Sequence, residues 1–136
     1  MLMKELLEEI TLYIKSRYPI IYLVTSEENR AERLITLAAE ATQKNCFYWS
    51  VTRGFYTTDK FGNDKTPAKA LDAILNYTEP GLFILKDFHA YLEDPSIIRK
   101  LRDIVVYLKK SFKTVFIISS SDVATLKFAT AFPSCK

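Results

Sequence analysis

The sequence predicts an α/β domain: a three-layer sandwich with helices on both faces of a mainly parallel sheet. Three observations carry that expectation. Ile20-Ile21-Tyr22-Leu23-Val24 and Leu82-Phe83-Ile84-Leu85 are apolar runs without alternation, as expected for strands covered on both faces. Segments with apolar residues at helical spacing lie between such runs. Strand and helix then alternate four times, which favours parallel strands joined by right-handed crossovers.

The elements follow in order. Met3, Leu6, Leu7, Ile10, Tyr13 and Ile14 mark one buried face of a first helix, which Pro19 stops. After the first strand, Thr25 and Glu28 stand at capping-box spacing and open a helix burying Ala31, Leu34, Ile35, Ala38 and Ala41. Cys46 to Val51 forms the second strand, and Arg53 to Lys65 a polar loop. Thr66-Pro67 starts a helix to about Tyr77, and Pro80-Gly81 breaks it before the third strand. Asp94-Pro95 starts a fourth helix with Ile98, Leu101, Val105 and Leu108 inward. Thr114 to Ile118 is the fourth strand, and Leu126 to Phe132 a short fifth.

With 136 residues, 49% of them hydrophobic, the chain builds one domain with a substantial core and no disordered tail. The net charge of +3 is too small to imply nucleic acid by itself. Cys46 and Cys135 stand far apart, so neither a disulfide framework nor a zinc knuckle is expected, and free thiols suit a reducing compartment. No apolar stretch reaches the roughly 20 residues that span a bilayer, and the acidic amphipathic N-terminus matches no targeting peptide. A soluble, intracellular protein without membrane insertion is expected.

Ligands of open parallel sheets bind at the carboxyl ends of the strands. Those ends are Thr25-Ser26, Thr52-Arg53, Lys86-Asp87 and Ser119-Ser120. They resemble a stripped P-loop ATPase, with the first strand and its helix where a Walker A loop would sit. Asp87 stands where a Walker B acid would be, and Ser119 in place of a sensor residue. A Walker A loop needs glycines, so that backbone N–H groups wrap the phosphates, and a Lys to reach them. Thr25-Ser26-Glu27-Glu28-Asn29 offers neither. Ser26, Asp87 and Ser119 are the candidates for a residual nucleotide site.

Tyr18 to Glu28, Glu79 to His89 and Leu101-Arg102-Asp103 resemble one family over most of the chain, up to about Ser120. It is the cyanobacterial and plastid AAA ATPase family named after conserved chloroplast reading frame forty-six. The resemblance implies an amino-terminal domain, residues 1–136, of a longer AAA protein whose carboxy-terminal module carries the Walker motifs, ATP and Mg²⁺. It implies no cofactor in this chain, and a place in the cyanobacterial cytosol or plastid stroma. Ala124 to Lys136 is shorter than the family pattern and has no lid subdomain, so a cut fragment and a stand-alone paralogue both stay open.

No catalytic residue and no metal site are expected. Asp87 lacks the usual neighbouring Glu, which is Phe88 here. His89, the only histidine, has Glu93 and Asp94 nearby but no second His or paired Cys, while zinc wants three or four ligands. Ser119 to Asp122 lack the Gly-flanked elbow of a hydrolase nucleophile.

Partner contacts have two candidate regions. The loop Arg53-Gly54-Phe55-Tyr56 to Phe61 sets aromatics among basic residues, which suits a protein hot spot or stacked bases; the plain alternative is that Phe55 and Phe61 pin the loop to the body. Arg99, Arg102 and Lys109 share a helix face, with a solvated face as the plain alternative. The leading expectation is a non-catalytic domain serving assembly, regulation or partner binding for an AAA ATPase. Residual ATP or ADP binding and single-stranded nucleic-acid binding are the alternatives.

Overall fold

Helix and strand alternate as the apolar pattern requires in the computed structural model, which describes residues 3–25, 27–57, 61, 65–119 and 127–129. The order is α1 (Met3–Lys15), β1 (Ile20–Val24), α2 (Glu28–Thr42), β2 (Asn45–Ser50), β3 (Gly54–Phe55), α3 (Pro67–Asn76), β4 (Gly81–Lys86), α4 (Pro95–Lys110), β5 (Lys113–Ser119) and β6 (Lys127–Ala129). One sheet in the order β3-β2-β4-β5-β1-β6 results. Its central pairs, β2 with β4, β4 with β5 and β5 with β1, are parallel. The two edge strands, β3 on β2 and β6 on β1, are antiparallel.

Every residue of β5 is buried, because helices cover both faces of the sheet. Phe116 and Ile118 pack with Leu6, Ile10 and Ile14 of α1 and with Leu34 and Ile35 of α2. Val115 and Ile117 face the opposite way, toward Leu71 and Ile74 of α3 and Leu101 and Leu108 of α4. The expected three layers are thus present, and each fully buried Leu, Ile or Phe contributes about 1.5–3 kcal/mol.

Local details differ from the sequence reading where tertiary contacts intervene. Ile97 and Ile104 join Leu101, Val105 and Leu108 in the core, while Ile98 is only half-buried. In α2, Ala39 is buried and Ala41 exposed. The rest of each expected face stays inward, so these are changes at the margin of the buried stripe and not a new helix phase. The expected capping box does not form: Thr25 Oγ1 accepts from the Glu27 N–H at 2.8 Å, and Glu27 is the N-cap. At α4 the expected cap does form, with Asp94 accepting from the Ser96 N–H at 2.9 Å. The loop after β2 contains the short strand β3, whose two residues are too few to show a period. The fifth strand of the sequence reading is the shorter, antiparallel β6.

Lys113 is a buried cation with a structural role. It is 3% exposed, and its Nζ donates to the carbonyls of Ile74 at 2.9 Å and Leu75 at 3.2 Å. Helix α3 has no basic residue in its last turn, so Lys113 supplies the positive charge that end favours.

Three acids in the α1–α2 layer are held neutral. Burial pushes the Cys46 thiol from its ordinary 9.0 to about 11. Burial, with the Glu9 hydrogen bond, pushes Tyr13 from 10.0 to about 12, and burial likewise raises Tyr48. A raised folded pKa gives stability that is complete below the unfolded value and is lost as pH rises toward the folded one. Lys44 and Lys113, whose pKa values burial lowers, act in the opposite sense up to their ordinary 10.5. The informative reading is therefore a difference between variants. Relative to Cys46→Ala, the native chain is expected to lose up to about 2 kcal/mol between pH 9 and pH 11. Parallel pH-dependent melting curves for the two proteins would contradict this.

Candidate functional site

Strand order brings three ends together. Since β5 lies between β4 and β1, the Thr25 N–H donates to the Ser119 carbonyl at 2.9 Å, and the Asp87 N–H to the Ile118 carbonyl at 3.1 Å. Asp87 and Ser119 thus come together beside Thr25. Ser26, Ser120, Ser121 and Asp122 lie outside the described residues, as does the side chain of His89.

Asp87 is exposed and has φ of +55°, a left-handed conformation that Asp tolerates better than most residues. The chain turns there into a short 3₁₀ helix, Phe88–Tyr91. That turn drives Phe88 into the core, 0% exposed, with its ring centroid 5.8 Å from that of Trp49. An ionisable side chain at position 88 would be buried without water. Ser119 is 6% exposed and Thr25 2%. Among the described residues, no group of three or more His, Cys, Asp or Glu is placed to hold a metal ion.

The amino end of α2, where an anion would normally be favoured, is occupied by the chain's own groups. Thr25 Oγ1 takes the Glu27 N–H, while Glu27 and Glu28 supply negative charge to the helix dipole. Arg30 pairs with Glu27 at 3.0 Å.

Next to it stands an ion-pair cluster that sequence reasoning missed. Lys86, at the end of β4, reaches Glu32 of α2 at 2.9 Å and Glu28 at 3.7 Å. Burial lowers the Lys86 pKa, but Tyr56 and Glu32 outweigh it and hold the ammonium above its ordinary range. The Lys86 Nζ lies 5.2 Å from the Tyr56 ring centroid and 6.0 Å from that of Tyr48. Arg53 stacks on Tyr56 at 4.0 Å. The Tyr48 hydroxyl lies 2.7 Å from Thr36 Oγ1 and donates to the Glu32 carbonyl at 3.2 Å. Two clues were visible: Glu28 and Glu32 share a helix face, and Lys86 is the single charge in its strand.

The polarity of this cluster is the reverse of a phosphate site. In a P-loop fold the helix carries the lysine and the strand carries the acid. Here the helix contributes the acids and Lys86 comes from the strand.

The aromatic loop divides in two. Phe55 is 4% exposed, and its ring lies 4.8 Å from Phe61, which stands 5.0 Å from Phe47 and 5.3 Å from Tyr77. Phe55 and Phe61 therefore fix the loop to the core. Arg53 is exposed and Tyr56 half-buried, so these two present the loop's surface. On α4, Arg99, Arg102 and Lys109 are exposed. Arg99 pairs with Asp103 at 2.9 Å, an exposed contact that contributes about 0–1 kcal/mol. No described helix is long and apolar enough to cross a membrane.

The sequence pattern of the SpoVK-like AAA ATPase N-terminal domain matches residues 6–126. The chain is 39% identical over 120 residues to an uncharacterized AAA domain-containing protein ycf46 of Trieres chinensis, an alignment covering 83% of this chain and 24% of the relative. The protein of the same name in Guillardia theta is 37% identical over 118 residues, covering 83% and 23%. That of Gracilaria tenuistipitata is 32% identical over 119 residues, covering 84% and 24%. The chain thus spans about a quarter of the length of these relatives. No solved structure matches it. With 121 residues matched, the chain belongs to the SpoVK-like AAA ATPase N-terminal domain family.

Proposed function

We propose that this domain is a non-catalytic partner-binding or assembly module of an AAA protein, and that it binds no nucleotide at the ends of its parallel strands. The observation that carries this reading is the reversed ion pair: Lys86 of β4 held by Glu32 and Glu28 of α2. Glu27, Glu28, Glu32 and Asp87 outnumber Lys86, Arg30 and Arg53 at this end of the sheet, so a triphosphate meets no net positive charge there. The Glu27 N–H that would point at a phosphate already has its acceptor in Thr25.

The contact surface of this reading is the rim of Arg53, Tyr56 and Lys86. It offers Arg53 and Tyr56, two of the residue types in which hot spots of protein interfaces are enriched, with Lys86 beneath them. ATP and Mg²⁺ would belong to the carboxy-terminal AAA module of the longer proteins, and this domain would contribute to its assembly.

Two measurements test the proposal. In a thermal-shift titration, ATP or ADP with Mg²⁺ is expected to leave the melting temperature unchanged at millimolar nucleotide. A ligand at about 100 times its Kd would stabilise by about 2.7 kcal/mol, so a saturable rise overturns the reading, as does ATP hydrolysis that Asp87→Ala removes. In sedimentation with a separately produced AAA module, the native chain is expected to associate, and Arg53→Glu with Tyr56→Ala to weaken association at least about tenfold. Absence of association contradicts the assembly role.

A further inference from the structure

The opposite end of the sheet carries a different chemistry. Helices α1, α2 and α4 each run down to the amino end of a parallel strand, so their carboxyl ends converge there. The residues that end these helices, Arg17, Gln43 and Phe112, have φ of 62°, 57° and 58°. Glycine ordinarily takes this position, since a side chain there costs about 1 kcal/mol. All three line one cavity of about 320 Å³, together with Lys15 and Lys44. A second depression of about 250 Å³ shares Arg17 and adds Lys109 and Lys110.

Neither depression is lined by a carboxylate. Lys15, Lys109 and Lys110 complement the dipoles of α1 and α4. Arg17 and Lys44 go beyond that role. Arg17 sits over Phe112, its Cζ 4.0 Å from the ring centroid, and its planar guanidinium suits two-pronged contact with an anion. Lys44 is half-buried, and its pKa is lowered by burial and by the neighbouring Arg17 charge. Two cations so placed repel one another until an anion joins them. Five full charges also outweigh three helix ends carrying roughly half a negative charge each. Phe112, 41% exposed, adds an aromatic surface to the first depression.

We infer that this end of the domain binds single-stranded nucleic acid, with Lys15, Arg17, Lys44, Lys109 and Lys110 contacting phosphates and the Arg17–Phe112 pair beside them as a stacking surface. Cations spread over two depressions that have Arg17 in common suit a repeating anion, and an exposed aromatic group suits an unpaired base. The site is separate from the acidic strand ends and does not depend on the reading given to them.

The test is fluorescence anisotropy of the full chain with a labelled single-stranded oligonucleotide of about 12 nucleotides. Saturable binding is expected, with a slope of log affinity against log salt of about −3.5, or roughly a 100-fold loss between about 50 and about 200 mM. Lys44→Gln is expected to weaken binding about tenfold while leaving the melting temperature equal or higher, because it relieves repulsion with Arg17. Arg17→Gln is expected to weaken binding by a similar factor. No binding overturns the inference, as does binding that Lys44→Gln leaves unchanged. Equal affinity for a duplex, or displacement by polyglutamate at equal charge, also overturns it, since either reveals a general anion surface.

Discussion

Phe83→Ala is expected to destabilise the domain by about 3–5 kcal/mol, the usual range for removing a large aromatic side chain from a core. Phe83 is 0% exposed in the middle of β4. Its ring centroid lies 5.5 Å from Phe47, 6.0 Å from Phe61, 5.8 Å from Tyr77 and 6.5 Å from Phe55. These rings come from β2, β3, the loop after it and the end of α3, so one side chain ties several elements together. The cavity left by alanine cannot collapse easily, because the surrounding rings are held by each other. In a thermal melt the change corresponds to a fall of roughly 10–15 °C. It is also expected to loosen the loop that presents Arg53 and Tyr56, read as increased proteolysis after Arg53. A loss below about 1 kcal/mol would mean that the aromatic cluster does not hold this part of the fold.

Lys86→Glu is expected to cost about 2–3 kcal/mol. The Lys86 side chain is 19% exposed and that of Glu32 23%, so the pair is only partly screened by water. The substitution removes an ammonium at 2.9 Å from Glu32 and places a third carboxylate beside Glu28 and Glu32. Combining it with Glu32→Lys restores opposite charges and is expected to recover at least half of the loss, a coupling that a double-mutant cycle measures directly. Glu28→Gln is expected to have little effect, since Glu28 is 46% exposed and 3.7 Å away. If the charge-swapped double variant is no more stable than Lys86→Glu, the pair does not contribute by its charge.

This cluster also shows where sequence reasoning ended. Glu28, Glu32 and Lys86 are all plain in the chain, but 54 residues separate the two partners of the closest pair. Their meeting depends on α2 crossing over the sheet to reach β2, next to β4. The same limit applied to Phe55 and Phe61, whose loop composition suits a contact surface as well as a core anchor. Burial decides between those roles, and burial is a property of the folded chain. The basic end had a faint signal, since cations stand in or just after the last turn of α1, α2 and α4, yet only strand order brings those helix ends together.

The amino-acid sequence by itself determined the class of fold, the order of its elements and the absence of a glycine-rich phosphate loop. These are local properties: apolar period, turn residues and the presence or absence of glycine are written within a few positions of each other. Tertiary structure alone decided the strand order, the antiparallel edges, the charge reversal at the carboxyl ends and the convergence of cations at the amino ends. Each of these depends on which distant segments pack together, and that is set by burial summed over the whole core.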